Sequence, residues 1–291
     1  MSIFIFTQQR KRMLKKFFRN KVGVTALLIA SGIALTAILA PILTPYDPAE
    51  QFASGLTISG MPQAPNPQFK LGTDLLGRDL LSRLIYGARV SLLIGLAANG
   101  AAILIGALLG TLAGYYRGKT EIVIMRFTDL MMAFPALLLA IALTAILRPS
   151  LWIVALVIAL VNWVQIARVV YSQVLTLRES EFIEAAVAIG AGSGRILFRH
   201  ILPHLVPTLL VWGTLGISTT VLLESTLSFL GVGVRPPTPS WGGIINESQT
   251  YFMDAPWLVA FPGLAILLTS LAFNLVGDAL RDCFGREGGS I

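Results

Sequence analysis

Side chains able to do chemistry stand out in this sequence because most of them are stranded in apolar stretches. Asn162 and Gln165 lie three residues apart, on one face of a prospective helix. Thr214, Ser218, Thr219 and Thr220 make one apolar run rich in hydroxyls, and Glu224 ends that run. Polar groups at membrane depth are costly, and they mark either interhelical hydrogen bonding or a hydrated path for a polar solute. Asn162, Gln165, Thr214, Ser218 and Glu224 are therefore the candidate translocation-path residues. For Asn162 and Gln165 both readings stay open. Glu224 sits near a span boundary, where hydration is easy, so a plain boundary acid competes with a substrate contact.

Bond-making chemistry is not legible. The sequence has no Gly-x4-Gly-Lys-Ser/Thr run, and Gly190-Ala191-Gly192-Ser193-Gly194-Arg195 lacks the lysine and the preceding strand of a phosphate loop. His200 and His204 are four apart, but Pro203 falls between them and no Glu accompanies the first His, which argues against a metal. No catalytic residue, cofactor or metal is expected in this chain, so any energy must come from another subunit.

The elements that position these groups follow from composition. Hydrophobic residues make up 55% of the 291, charged residues only 13%, and the mean hydropathy is +0.76. Soluble domains carry roughly 25% charged residues, so the chain reads as an all-α polytopic membrane protein. Apolar runs mark six spans: Val22–Leu43, Val90–Gly114, about Leu130–Leu147, Leu151 to about Val174, about Pro207–Leu223, and Trp257 to about Val276. The first run exceeds the apolar core of a cleaved signal, so it is expected to be retained. Pro135 should kink the third span, and Gly106, Gly110 and Gly114 form a small-residue ridge for close helix packing. Residues 44–89 form a proline-rich insertion in which Asp74 can close an Asx turn and Asp79 can pair with Arg83. Arg126 can likewise pair with Asp129, and Trp241 suits an interfacial belt. The net charge of +7 reflects seven cations between Arg10 and Lys21, beside Met13, Leu14, Phe17 and Phe18. That pattern fits a basic amphipathic segment on anionic lipid, not a nucleic-acid surface. The single cysteine, Cys283, excludes an intramolecular disulfide.

One polar break, about residues 176–206, has an internal design. Ser180 can cap a short helix whose first turns carry Glu181 and Glu184. Phe182, Ala185, Ala186 and Ile189 share a face by helical spacing, and Gly190 is placed to end the helix in a left-handed cap. Ser193 can cap a second helix that Pro203 and Pro207 limit. The shallow Ala185–Ala186 face suits the close approach of another protein.

Glu184-Ala185-Ala186, three residues, Gly190, nine residues, then His200-Ile201-Leu202-Pro203 resembles the cytoplasmic loop of ABC-importer permease subunits. Four further runs resemble the C-type subunit of the dipeptide/oligopeptide/nickel branch. They are Leu71-Gly72-Thr73-Asp74-x-x-Gly77-Arg78-Asp79, Leu227-Ser228-Phe229-Leu230-Gly231 with Pro236-Pro237-Thr238-Pro239-Ser240-Trp241-Gly242, and Asn274-Leu275-x-Gly277-Asp278-x-Leu280-Arg281-Asp282. The resemblance implies a type I importer permease fold. It also implies a second related permease subunit, two ATPase subunits that bind ATP and Mg, and an extracytoplasmic binding protein, all in the cytoplasmic membrane. Glu184, Ala185, Ala186, Gly190, Leu202 and Pro203 would form the ATPase-coupling site. Ala185 and Ala186 would be its docking face and Glu184 a partner for a basic group. Di- or oligopeptides would be the cargo, with nickel chelates or glycosides as alternatives. A secondary transporter is the rival from another class, and it would be expected to show inverted repeats and midplane charges.

Topology tests the resemblance independently. With six spans and a cytoplasmic N-terminus, sixteen of the 22 Lys and Arg residues fall inside, together with the Glu-Ala-Ala loop and both termini. The expected organisation is a cytoplasmic segment 1–21, a first span 22–43, an extracytoplasmic insertion 44–89, a permease core 90–280 and a cytoplasmic tail 281–291.

Overall fold

In the computed structural model, which describes residues 15–284, the apolar runs become helices and the only strand-like pairings are two isolated bridges, Leu56 with Pro62 and Thr73 with Asp79. Residues 1–14, which hold Met13, Leu14 and three of the N-terminal cations, lie outside the described residues, as does Arg286 of the tail. The helices are α1 (Lys21–Ile38), α2 (Ala40–Leu43), α3 (Leu80–Tyr116), α4 (Gly118–Met132), α5 (Ala136–Leu147) and α6 (Leu151–Arg178), followed by α7 (Glu181–Ala188), α8 (Ser193–Ile196), α9 (Leu202–Phe229), α10 (Trp241–Glu247) and α11 (Trp257–Phe284). Among the described residues, five helical stretches are long and apolar enough to cross a bilayer. They are α1, α3, α6, the stretch Ser193–Phe229 and α11.

A sixth span exists only when α4 and α5 count as one broken crossing, because they meet at 91°. The expected single kinked helix is thus a sharp corner. Pro135 has no N–H and disfavours helical backbone at Phe134, so α4 closes at Ala133, whose N–H bonds to the Asp129 and Leu130 carbonyls. Pro135 then caps α5, whose 12 residues span about 18 Å, short of the roughly 30 Å hydrocarbon core. Arg126 does not pair with Asp129. Asp129 instead pairs with Arg168 of α6.

The glycine ridge does what its spacing implies. A Cβ at Gly106 would stand 2.7 Å from the Trp163 carbonyl oxygen, and at Gly110 2.5 Å from that of Ala167. At Gly114 it would meet Val174 Cβ at 2.8 Å. The backbones of α3 and α6 therefore touch along their length, and Ile166, Ala167, Val170 and Val174 are buried in that seam. On the other side, α9 packs between α3 and α11. Asn99 of α3 donates to the Gly213 carbonyl at 2.5 Å, and Gly277 of α11 fits beneath Leu215. The ends of the chain meet. Phe17, Ala26, Val276, Ala279 and Cys283 form one buried cluster, and Lys16 Nζ donates to the Asp282 carbonyl, a cation at a helix C-terminus.

The segment before α3 is an ordered cap. Tyr46, Phe52 and Phe69 pack in T-shaped and tilted pairs with ring centroids 4.8 to 5.9 Å apart, and Thr73 donates to the Gly55 carbonyl. Asp74 closes the expected Asx turn, accepting from Leu76 N at 2.9 Å. Asp79 departs from expectation. It caps α3 by accepting from Ser82 N and Oγ, and Arg83 turns away to Asp74 and Glu247. A side chain already spent on the helix N-terminus has no geometry left for its i+4 neighbour. Trp241 is not interfacial either. It is buried, with its indole N–H donating to the Leu84 carbonyl at 3.0 Å.

Candidate functional site

Two regions hold the candidate residues. In the first, α6 ends at Arg178 and the chain turns into α7 at Glu181. Ser180 occupies the N-cap position, but its hydroxyl bonds back to the Leu177 carbonyl instead of capping α7. Glu181 and Glu184 stand in the first turns, as expected. The other end is a full Schellman closure. Gly190 adopts φ +82°, its N–H donates to the Val187 carbonyl at 2.9 Å, and Ala191 N–H donates to Ala186 at 3.0 Å.

The face of α7 is rotated from the expected one. Ile183 and Ala186 turn inward, Ala186 being only 6% exposed, whereas Phe182, Glu184, Ala185, Val187 and Ile189 are exposed. Ala186 therefore belongs to the chain's own packing and not to an outward docking face. The reason is tertiary: Ile183 joins the buried cluster of Val170, Val174, Ile196, Ile201 and Leu205, and Ala186 is one helical turn beyond it. Helical spacing groups Ala186 with Phe182, Ala185 and Ile189, but burial separates it from them and sets it with Ile183.

Gly192, not Ser193, holds the N-cap position of α8, and Ser193 is the first helical residue. The proline limits also fail. A π-helical turn, Leu197–Ile201, joins α8 to α9, so one helix runs from Ser193 to Phe229 through Leu202, Pro203 and Pro207. Leu202 N–H reaches back five residues to the Leu197 carbonyl. This shift of hydrogen-bond register places Pro203, which has no N–H to give, in the first turn of α9, where a proline is tolerated. Leu202 and Pro203 thus tie α8 rigidly to a membrane helix.

The second region is the set of polar groups within the spans. Asn162 donates to Thr220 Oγ1 across α6 and α9 at 3.4 Å, while Gln165 is exposed. Thr214 bonds within its own helix to Leu210, and Ser218 shares a hydrogen bond with Ser270 of α11 at 2.5 Å. These groups do not converge on one lumen.

Glu224 is fully enclosed, so the easy hydration expected of a boundary acid is not there. Ser91 Oγ donates to Glu224 Oε2 at 2.9 Å and Ser228 Oγ to Oε1 at 2.8 Å. Ser240 Oγ, which also caps α10, donates to Ser228 Oγ at 3.2 Å. The carboxyl therefore joins α3, α9 and the start of α10. Ser228 stands at helical i, i+4 spacing from Glu224, but no local pattern marks Ser91, 133 residues away in sequence, or Ser240 of the next element. Glu224→Ala is expected to lower stability by about 1–3 kcal/mol, the scale for orphaning buried donors. Glu224→Gln, which retains one acceptor oxygen, should stay within about 1 kcal/mol of the parent. Thermal unfolding of the purified protein tests this. Transport lost in Glu224→Gln at unchanged melting temperature would instead indicate a substrate contact.

A family model described as binding-protein-dependent transport system inner membrane component matches residues 106–287. A second, described as the N-terminal TM domain of oligopeptide transport permease C, matches residues 8–65. The chain is 43% identical over 272 residues to the dipeptide transport system permease protein DppC of Alkalihalophilus pseudofirmus, covering 94% of this chain and 88% of that protein. It is 42% identical over 279 residues to the di/tripeptide transport system permease protein DppC of Pseudomonas aeruginosa, covering 96% and 92%. It is 40% identical over 268 residues to the glutathione transport system permease protein GsiD of Pectobacterium atrosepticum, covering 92% and 88%. Among solved structures, an inward-facing conformation of the MetNI methionine ABC transporter superposes with a TM-score of 0.58 at 19% identity, covering 70% of this chain and 97% of that one. That likeness establishes the fold.

Proposed function

The chain belongs to the binding-protein-dependent transport system inner membrane components, and on that premise we propose that it is a permease subunit of an ATP-driven importer of di- and oligopeptides. The cargo follows the names of its relatives, two of which are dipeptide and di/tripeptide permeases. A second permease chain, two ATPase subunits that bind ATP and Mg, and an extracytoplasmic binding protein complete the assembly. Both termini and the α7 loop face the cytoplasm, in keeping with the Lys and Arg bias.

One observation carries the coupling role. α7 is anchored by Ile183 and Ala186 beside a cluster that includes α6, α8 and α9, while Phe182, Ala185, Val187 and Ile189 stay exposed. A partner that grips the outer face moves the membrane helices with it, because the Schellman closure and the continuous Ser193–Phe229 helix leave little slack. ATPase closure then biases the spans between outward- and inward-open states through differential contacts. Glu184 is exposed beside this face and offers a carboxylate to a basic group on the ATPase.

Ala185→Arg tests the proposal without disturbing the fold, since Ala185 is exposed. ATP-dependent uptake of a labelled dipeptide into vesicles should fall at least tenfold, equivalent to roughly 1.4 kcal/mol of lost coupling. The ATPase subunits should also fail to co-purify, with the permease pair intact. Parent-level uptake and co-purification would refute the docking face.

A further inference from the structure

We propose that a cavity between α6, α9 and α11, at the end of the bundle that carries α7, is a subsite for the carboxylate end of the transported peptide. This deepens the peptide-permease function and rests on it. The cavity measures about 420 Å³ and is lined by Gln173 of α6, Thr208 and Trp212 of α9, and Arg281 and Phe284 of α11, among others. A second cavity of about 430 Å³ shares Gln173 and Thr208 and adds Ser172, Thr176 and His204. Sites of this size and mixed lining are typical for small polar ligands with apolar side chains.

The chemistry points to one end of a peptide. Arg281 is exposed and, among the described residues, pairs with no carboxylate and is the only formally charged side chain lining either cavity. A guanidinium binds a carboxylate through two parallel N–H donors, a geometry an ammonium cannot copy. Gln173 Nε2 donates to Thr208 Oγ1 at 2.9 Å, so an amide and a hydroxyl stand ready to exchange that bond for peptide N–H and C=O groups. Trp212 and Phe284 supply apolar and aromatic wall for a side chain. With no acid among the described lining residues, the site accepts the anionic end and leaves the peptide ammonium toward the second cavity. Arg281 belongs to the Asn274–Asp282 run, but sequence spacing does not bring it together with Gln173 and Thr208, which come from helices separated by the whole α7 loop.

The test uses the complete reconstituted complex with one binding protein throughout, so that protein's own preference cancels. The parent should take up a labelled dipeptide with a free C-terminus at least tenfold better, by kcat/KM, than the same peptide amidated. Arg281→Gln should erase most of that ratio through KM while peptide-free ATPase activity and assembly stay unchanged, and Arg281→Lys should restore it only in part. A second variant, Thr208→Cys, should be shielded from a soluble thiol reagent only during peptide turnover, against the background of the buried native Cys283. An unchanged peptide-to-amide ratio in Arg281→Gln overturns the subsite. So does shielding of Thr208→Cys without peptide, which would mean that lipid or the second permease chain fills the cavity. Parent complex that moves no peptide at all would instead refute the function on which the subsite rests.

Discussion

Gly110→Leu is expected to prevent α3 and α6 from packing, with near-complete loss of monodisperse protein. The seam leaves no direction for relief. The first atom added would sit 2.5 Å from the Ala167 carbonyl oxygen and 2.9 Å from Val170 Cβ, and a main-chain oxygen has no rotamer to escape into. Overpacking a core by a methylene or two costs about 1–3 kcal/mol when side chains can shift. Here a backbone must move, and with it the buried Ala167, Val170 and Val174. Gly110→Ala should already cost that amount, and the leucine should consume most of a folding free energy that is only about 5–15 kcal/mol in typical domains. Gly106→Leu should behave alike, since its Cβ would meet the Trp163 carbonyl at 2.7 Å. Gly100, on the same helix, is the control: nothing lies within 4 Å of its Cβ, so Gly100→Ala should be neutral or gain up to about 1 kcal/mol of helix propensity. Melting temperature and gel-filtration profile decide. Parent-like behaviour of Gly110→Leu would mean that α3 and α6 do not touch as described.

What could be read from sequence divides by range. Gly190 announces its φ of +82° through position alone, because a helix that must reverse direction wants a residue without Cβ there. The glycine ridge and the Asp74 turn are equally local, each written within a few consecutive turns. Errors arise where a distant partner decides. Arg83 has Asp79 at helical spacing yet pairs with Glu247, 164 residues on, and Asp129 leaves Arg126 for Arg168. Ala186 and Ala185 are indistinguishable in the sequence, and only the cluster around Ile183 determines which one faces inward. Glu224 reads as an easily hydrated acid because Ser91 and Ser240, which enclose it, come from other elements. Prolines mislead in both directions. Pro135 breaks a span outright, whereas Pro203 is absorbed by a π-helical turn that no local pattern requires.

Asp74→Asn is the second large effect, and it isolates charge from shape. Asp74 Oδ2 accepts from Arg78 Nε at 2.6 Å and faces Arg83 Nε at 3.1 Å, an ion pair aligned too poorly for a hydrogen bond. Glu247 Oε2 accepts from Arg78 Nη2 at 2.6 Å and from Arg83 Nη2 at 2.8 Å. Two guanidiniums therefore share two carboxylates, and the Arg83 side chain is only 1% exposed. The asparagine can keep accepting from Leu76 N and Arg78 N through its one oxygen, so the turn survives while the charge goes. Two buried cations then face a single carboxylate, and breaking a buried pair in this way costs about 3–5 kcal/mol. Glu247→Gln should cost less, about 1–2 kcal/mol, because the Glu247 side chain is 26% exposed and water can replace part of its role. The loss should appear first as proteolytic cleavage within residues 44–79, which this cluster fastens to α3 and α10, and then as a lower melting temperature. High salt should not reproduce it, since buried charges are screened little. Arg78→Gln added to Asp74→Asn restores a balance of one cation and one carboxylate, so the double variant should recover part of the stability lost in the single one. A double variant less stable than Asp74→Asn alone would show that Arg78 acts through its packing and not through its charge.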